Sequence, residues 1–258
     1  MTAFVCSDIH SFYDEWMDAL NTQGFNIKND NHILVVLGDL LDRGPKSQEC
    51  LDFVNNLPEN RKILIKGNHE DLMEQIIARG GFYMHDFHNG TVKTVSDLTG
   101  VEYEECVYNP LQAINELSKN EGLYKYLNSC VDYFENKNLI FTHGWIPCIK
   151  SGFYSYDENW RNGDWEQARW INGFEAWKAG MIEHDKTIWC GHWHTSWAHS
   201  KLHKDGLEWD DDFYRQDIKD RKPLAIFTPF EDVGIVGMDA CTAYSGFVNC
   251  KKISRFKL

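Results

Sequence analysis

VVLGDLLDRGP (residues 35–45) carries an apolar, strand-like run directly into two aspartates, an arginine and a Gly-Pro pair. Alone, the stretch reads as a turn, because Asp bonds nearby backbone, Gly permits unusual dihedrals and Pro fixes one. Whether its charges do more depends on what other strand ends carry. Short apolar runs recur, each followed by polar residues: AFVCS (3–7), HILVVLG (32–38), KILIKG (62–67), LIFT (139–142) and TIWCG (187–191). They read as buried strands. Helical patterns follow the first three: Phe12, Trp16, Ala19 and Leu20 share a face, as do Cys50, Leu51, Val54 and Leu57, and then Leu72, Met73, Ile76 and Ile77. This alternation predicts an α/β protein with parallel βαβ pairing.

The length suits one domain, residues 1–258, with insertions. Residues 80–138 turn mostly helical and polar after Gly80-Gly81 and read as a helical insertion or cap over the sheet. Residues 145–181 carry five tryptophans and read as an aromatic-rich excursion on the substrate side. LAIFT (224–228), GIVGM (234–238) and GFVNC (246–250) look like strands of a second, more antiparallel sheet.

Composition narrows the partners. With 26 Lys and Arg against 39 Asp and Glu, the net charge of −13 repels nucleic acid backbones, and no basic cluster offsets it. No apolar run approaches the ~20 residues that span a bilayer, so no membrane association is expected. The eight cysteines form no C-x-x-C pair, and the first residues lead straight into a strand pattern without a basic and apolar leader. A reducing, cytoplasmic location is expected. The oligomeric state is left open.

Every strand end delivers groups that bind metals: Asp8 and His10 after the first, Asp39 after the second, Asn68 and His69 after the third, His143 after the fourth, His192 and His194 after the fifth. In an open α/β sheet such ends face one crevice. Carboxylates, an amide oxygen and several imidazoles suit Mn, Fe or Zn. For phosphoryl hydrolysis two ions ~3.5 to 4 Å apart are the usual arrangement. Each residue has a plainer reading: Asp8 or Asn68 as a helix cap, His143 as a turn histidine. Their ordered recurrence is what favours a site. Since neighbouring side chains at a helix start diverge by about 100°, His69 is better placed as a general acid than as a ligand beside Asn68.

DIH, GDLLDRGP, GNHE, THG and GHWH, in this order, resemble the motif set of the calcineurin-like metallophosphoesterases, and GDLLDRG with GNHE resembles their PPP-type serine/threonine protein phosphatase branch. The resemblance implies a four-layer α/β/β/α sandwich. It implies Asp8, His10 and Asp39 on one of two divalent ions, manganese favoured over iron or zinc. Asp39, Asn68, His143 and His192 would take the other, with Asp39 bridging. It further implies that Asp42 orients His69, that Arg43 grips phosphate oxygens, and that a water activated between the ions attacks the phosphorus.

The sequence departs from that branch in two places. GHWHTS has a second histidine, so His194 either completes the first metal's shell or lines the pocket. Where a W-x-R arginine is expected to bind phosphate, the chain has Trp170-Ile171-Asn172. Asn172 then stands with Arg43 and Asn68 as a substrate contact, and Arg161 or Arg169 could replace the arginine. RWINGF also resembles the related symmetrical dinucleoside tetraphosphatases. Trp170, Phe174 and Trp177, at helical spacing, read as core, and His199 and His203 as a solvated face. The leading expectation is a dimetal phosphatase of phosphoserine/threonine or small phosphomonoesters. The alternative is a dinucleoside polyphosphate or phosphodiester hydrolase. A non-catalytic metal-binding module would have no need of His69, Asp42 and Arg43.

Overall fold

The computed structural model describes residues 1–213 and 224–258. Strands β1 (Thr2–Cys6), β2 (His32–Val36), β3 (Lys62–Ile65) and β4 (Cys130–Val131) form a parallel array. After β5 (Phe134–Glu135), β6 (Leu139–Phe141), the hairpin β7 (Ile149–Lys150) and β8 (Phe153–Tyr154), and β9 (Thr187–Cys190) come β10 (Phe230–Asp232), β11 (Ile235–Gly237) and β12 (Cys250–Ser254). They complete two five-stranded sheets, ordered β12-β1-β2-β3-β4 and β10-β11-β9-β6-β5.

Alternation along the strands explains the layering. Phe4, Cys6, Leu34, Val36 and Leu64 point outward into a core with helices α1 (Tyr13–Gln23) and α2 (Ser47–Asn56). Their neighbours Ala3, Val5, Ile33, Val35, Ile63 and Ile65 face the other way, onto Phe141, Trp189, Val236 and Met238 of the second sheet. Ile140, Ile188, Cys190 and Ile235 cover that sheet's far face beneath Trp145, Trp160 and Phe174. The inner strands of both sheets are buried on both faces, so they read as near-continuous apolar runs, while the edge strands β4, β5, β10 and β12 are partly exposed. The result is the α/β/β/α sandwich.

Helix α3 (Asn68–Arg79) follows β3, and the segment beyond it holds α4 (Met84–His88), α5 (Thr91–Thr99), α6 (Tyr103–Tyr108), α7 (Pro110–Leu117) and α8 (Glu121–Ser129). These helices pack Val92, Val95, Ala113, Leu117, Leu123 and Tyr126 into the core of the first sheet. They widen that layer instead of standing over it as a loose cap.

The tail corrects an expectation. It is not one antiparallel sheet but is divided between the two: β12 runs antiparallel beside β1, whereas β11 pairs in parallel with β9 and only β10 is antiparallel to it. LAIFT contributes a single bridge at Ala225, and GFVNC enters a strand only at Cys250. Short apolar runs do not say which of two sheets they join.

The excursion after β6 is tied back by charge. Arg161 donates to Glu135 through Nε at 2.7 Å, and Lys186 Nζ donates to the same carboxylate at 2.6 Å. These bonds, Arg161's foremost, hold Glu135 below its ordinary value near 4.5 against the opposing effect of burial. A carboxylate with a lowered folded pKa stabilises the fold fully above its unfolded value and ceases to as pH falls through the folded one. Glu135→Gln should therefore cost roughly 1.5–3 kcal/mol in urea unfolding at neutral pH. The gap to wild type should close below about pH 4, and a difference independent of pH would contradict this account.

Candidate active site

The C-terminal ends of β1, β2 and β3 in one sheet meet those of β6 and β9 in the other. Between them lies a pocket of about 490 Å³. Asp8, His10, Asp39, Asn68, His69 and His192 line its inner part, while Arg43, Gln75, His85, Asn89 and Trp170 are more exposed. The chain reaches these positions through unusual backbone. Asp8, His10, Asp39, Asp42, Arg43 and His192 all have positive φ, between 50° and 76°. Each left-handed non-glycine residue costs about 1–3 kcal/mol unless its surroundings impose it.

The surroundings do. Past the strands, the loop after β1 stays bonded to the loop after β2, with the N–H groups of Asp8, His10 and Ser11 donating to the carbonyls of Gly38, Asp39 and Leu40. Gly38 and Gly67 stand back to back, and a Cβ at Gly38 would come 2.6 Å from His143 Nδ1 and 2.7 Å from Gly67 Cα. Buried Glu70 then joins the loops after β2 and β3. Its carboxylate accepts from the N–H groups of Asp39 (3.0 Å), Leu40 (3.1 Å) and Gly67 (2.7 Å), and from Tyr126 Oη (2.7 Å). Burial and the nearby Asp39 carboxylate raise Glu70's pKa.

Asp39 sits at the centre. Its Oδ1 is 3.3 Å from His143 Nε2, and its Oδ2 is 3.7 Å from His10 Nε2 and 3.9 Å from His69 Nε2. Two groups of donors therefore share it, His10 with His69 and His143 with His192. Asn68 is the first residue of α3, with Gly67 at the cap position, so its side chain is released to the site and its Oδ1 lies 2.9 Å from His143 Nε2. Asp8 is no cap either, since its two oxygens accept from His192 N–H at 3.1 Å and link the two sheets.

This donor set fits divalent ions. His10 and His143 each bond outward through Nδ1, to the carbonyls of Leu41 (3.0 Å) and Leu37 (2.7 Å), which leaves Nε2 aimed inward. Such outward bonds orient metal-binding imidazoles. Buried negative charge also gathers here. Burial, and then Asp239, push Asp8 well above the usual carboxylate range, and Asp239 is itself pushed up to about 6, chiefly by burial. Asp39 is lowered well below that range, because the charges of His143 and His69 outweigh its burial. Burial and the neighbouring His143 lower His192 to about 3.

On the pocket wall, His69 Nδ1 bonds Asp42 Oδ2 at 2.7 Å, and Thr91 Oγ1 donates to the same oxygen at 2.7 Å. His69 Nε2 therefore faces the cavity, 3.4 Å from Arg43 Nη2. Burial disfavours protonated His69, but Asp39 and Asp42 outweigh it and raise its pKa.

Three expectations fail geometrically. Asn172 is outside the pocket: its Oδ1 caps α10 (Gly173–Lys178), accepting from Phe174 N and Glu175 N. His194 likewise starts a helix, its Nδ1 taken by Ser196 Oγ and Trp197 N, and its ring lies between Trp193 and Trp209, apart from both donor groups. Trp170 is not core. The helix α9 (Trp165–Ala168) ends before it and Asn172 begins another, so the indole is 51% exposed and meets His192 at a ring distance of 5.7 Å. Neither arginine fills the gap, because Arg161 is held by Glu135, and Arg169 is buried against Asp71 and Asp132. The pair His199 and His203 does have carboxylate neighbours, Asp205 and Asp232, though far along the chain in the second case.

Glu70, Thr91 and Asp239 escaped the sequence reading. GIVGM followed directly by Asp239 repeats the strand-end pattern and could have revealed it. Thr91 gave no signal, since its partner Asp42 is 49 positions away.

Fold and donors together define a metallophosphoesterase. A model of calcineurin-like phosphoesterases matches residues 1–226, and the chain belongs to that family. Among curated relatives, the asymmetrical bis(5'-nucleosyl)-tetraphosphatase PrpE of Bacillus velezensis is 38% identical over 159 residues, and that of Halalkalibacterium halodurans 28% over 158. Each match takes in 58% of this chain and 59% of the relative, so only about three-fifths of their length is spanned. The symmetrical bis(5'-nucleosyl)-tetraphosphatase of Buchnera aphidicola is 40% identical over 70 residues, 27% of this chain and 24% of the relative. A crystal structure assigned as a diadenosine tetraphosphatase superposes with a TM-score of 0.51 at 16% identity, covering 98% of this chain and 89% of that one. A mutant cold-active protein tyrosine phosphatase gives 0.55 at 15%, covering 98% and 75%. These two likenesses concern the fold. Among the described residues no helix is long and apolar enough to cross a membrane.

The Glu70 network can be tested directly. Glu70→Gln replaces an accepting oxygen with an NH2 that faces N–H groups which also donate, and Tyr126→Phe removes one donor to a charged group, so each should lose at least ~1.5 kcal/mol in urea unfolding. Glu70→Gln should lose more. Wild-type stability in both variants would show that the loops are held otherwise.

Proposed function

We propose that this chain is a dimetal phosphohydrolase acting on nucleotides, with dinucleoside polyphosphates as the substrate class. The observation that carries the hydrolase reading is the convergence of two donor groups sharing Asp39 with the Asp42–His69–Arg43 wall in one pocket. The names of the curated relatives support the substrate class. Asp8, His10 and Asp39 would hold one divalent ion, and Asp39, Asn68, His143 and His192 the other, manganese being favoured over iron or zinc. When bound, such a pair supplies a water acidified to near neutrality and polarises a phosphoryl oxygen.

The chain's own residues do the rest. Arg43 directs its guanidinium at the phosphoryl oxygens and stabilises the charge that grows on them. As the water oxygen bonds to phosphorus and the bond to the leaving oxygen breaks, His69 passes its Nε2 proton to that oxygen. His69 acts as the imidazolium: Asp42 keeps Nδ1–H in place by accepting its hydrogen bond, so the proton released is the one on Nε2, and Thr91 donates to the same Asp42 oxygen. The second reading, hydrolysis of phosphomonoesters, is favoured by this same dyad, because an alkoxide needs a proton to depart more than a nucleotide phosphate does.

A panel with Mn²⁺ separates them: a dinucleoside tetraphosphate, a phosphopeptide, phenyl phosphate and p-nitrophenyl phosphate. The tetraphosphate should give the highest kcat/KM. His69→Asn should lower kcat about 10²–10⁴-fold on phenyl phosphate, and much less on p-nitrophenyl phosphate, whose leaving group is a weak base. A phosphopeptide turned over best would favour the second reading. Equal losses on both phenyl esters would remove His69 from the acid role.

A further inference from the structure

Five pocket residues have no part in that chemistry: Leu72, Gln75, His85, Asn89 and Trp170. Three features make them a built surface. First, Trp170 is 51% exposed while Trp16, Trp145 and Trp160 are at most 1% exposed, and it is held against the pocket by its edge-to-face contact with His192. Second, His85 of α4 and Asn89, the helical-backbone residue that caps it, stand one turn apart, hence on a single face, and α3 presents Leu72 and Gln75 in the same way. Third, α4 is locked to the catalytic loop. Gly90, at φ 82°, packs so closely that a Cβ there would lie 2.5 Å from Arg43 N, and the next residue, Thr91, bonds Asp42.

The chemistry of this outer part is aromatic and neutral-polar. Among the described residues that line the pocket, Arg43 is the only Lys or Arg. An indole face with two amides and an imidazole matches a nucleobase, which stacks on aromatic surfaces and offers donors and acceptors at its edge. The cavity also exceeds what a phosphoryl group needs and lies in the range of small-molecule sites.

Resting on the nucleotide reading above, we propose that Trp170 is the stacking platform of a base subsite, whose edge-reading groups are Gln75, His85 and Asn89. It sets specificity by gripping the nucleoside nearest the reacting phosphate. The α4 residues belong to it because Gly90 and Thr91 fix their distance from Arg43 and His69.

Calorimetric titration tests this without turnover. Mn²⁺-loaded wild type, Trp170→Ala, Trp170→Phe and the double variant His85→Ala/Asn89→Ala are each titrated with AMP, ribose 5-phosphate and inorganic phosphate. Wild type should bind AMP about tenfold more tightly than ribose 5-phosphate, in line with one stacked base. Trp170→Ala should bring that ratio below about twofold, Trp170→Phe should keep most of it, and the double variant should reduce it several-fold. Equal binding of AMP and ribose 5-phosphate by wild type, or a ratio that survives Trp170→Ala, overturns the subsite. If the tetraphosphate is hydrolysed but the ratio survives, the subsite alone falls. If the ratio behaves as stated while the tetraphosphate is untouched, the subsite stands and the substrate class of the preceding reading falls.

Discussion

The carboxylate of Glu70 is the constraint on which the site depends. One buried anion accepts four hydrogen bonds, from the loop after β2, the turn after β3 and the hydroxyl of Tyr126 on α8. Hydrogen bonds to charged groups contribute more than neutral ones, about 1.5–3 kcal/mol each. That is the scale needed to hold Asp39 in left-handed backbone. Because Asp39 also accepts from His69 N–H at 3.1 Å, the same lock fixes the start of α3 relative to the Asp39 carboxylate.

The second constraint is the pairing of two sheets. The first supplies Asp8, His10, Asp39, Asn68 and His69; the second supplies His143, His192 and Asp239, each just past a strand end. Asp8 ties the halves together through His192 N–H, and Thr242 Oγ1 donates back to the Asp8 carbonyl at 3.0 Å. Helices α3 to α5 then add the outer wall. The inner residues are thus held by sheet edges and the outer ones by helix packing, so on the reading proposed above reaction and recognition rest on different parts of the fold.

Much of this was legible in the sequence. The strands before Asp8, Asp39, Asn68, His143 and His192 are short, apolar beyond their first residue and followed by donors, the near-continuous pattern of strands buried on both faces. A second sheet was legible in the late apolar runs, but the stacking of two sheets into a four-layer sandwich came from the resemblance. What periodicity missed has physical causes. Asn172 caps a helix, and that cap breaks the continuous helix that would have buried Trp170. His194 is withdrawn by a local bond to the helix it begins. Thr91 and Tyr126 act on residues far away in sequence, where no local pattern reports them. Arg161 and Arg169 looked free because their acidic partners, Glu135, Asp71 and Asp132, lie in other elements.

The position of β12 has a bearing on how the molecule comes to exist. Strand β1, which leads into Asp8 and His10, lies inside its sheet only because β12, from the far end of the described chain, pairs along its whole length. During synthesis β1 emerges before β12 and can pair with β2 on one side, while its other edge stays open until residues 250–254 arrive. An open, apolar strand edge is a template for pairing with other chains. The order of synthesis therefore leaves one edge of the strand that leads into Asp8 and His10 open until β12 has been made.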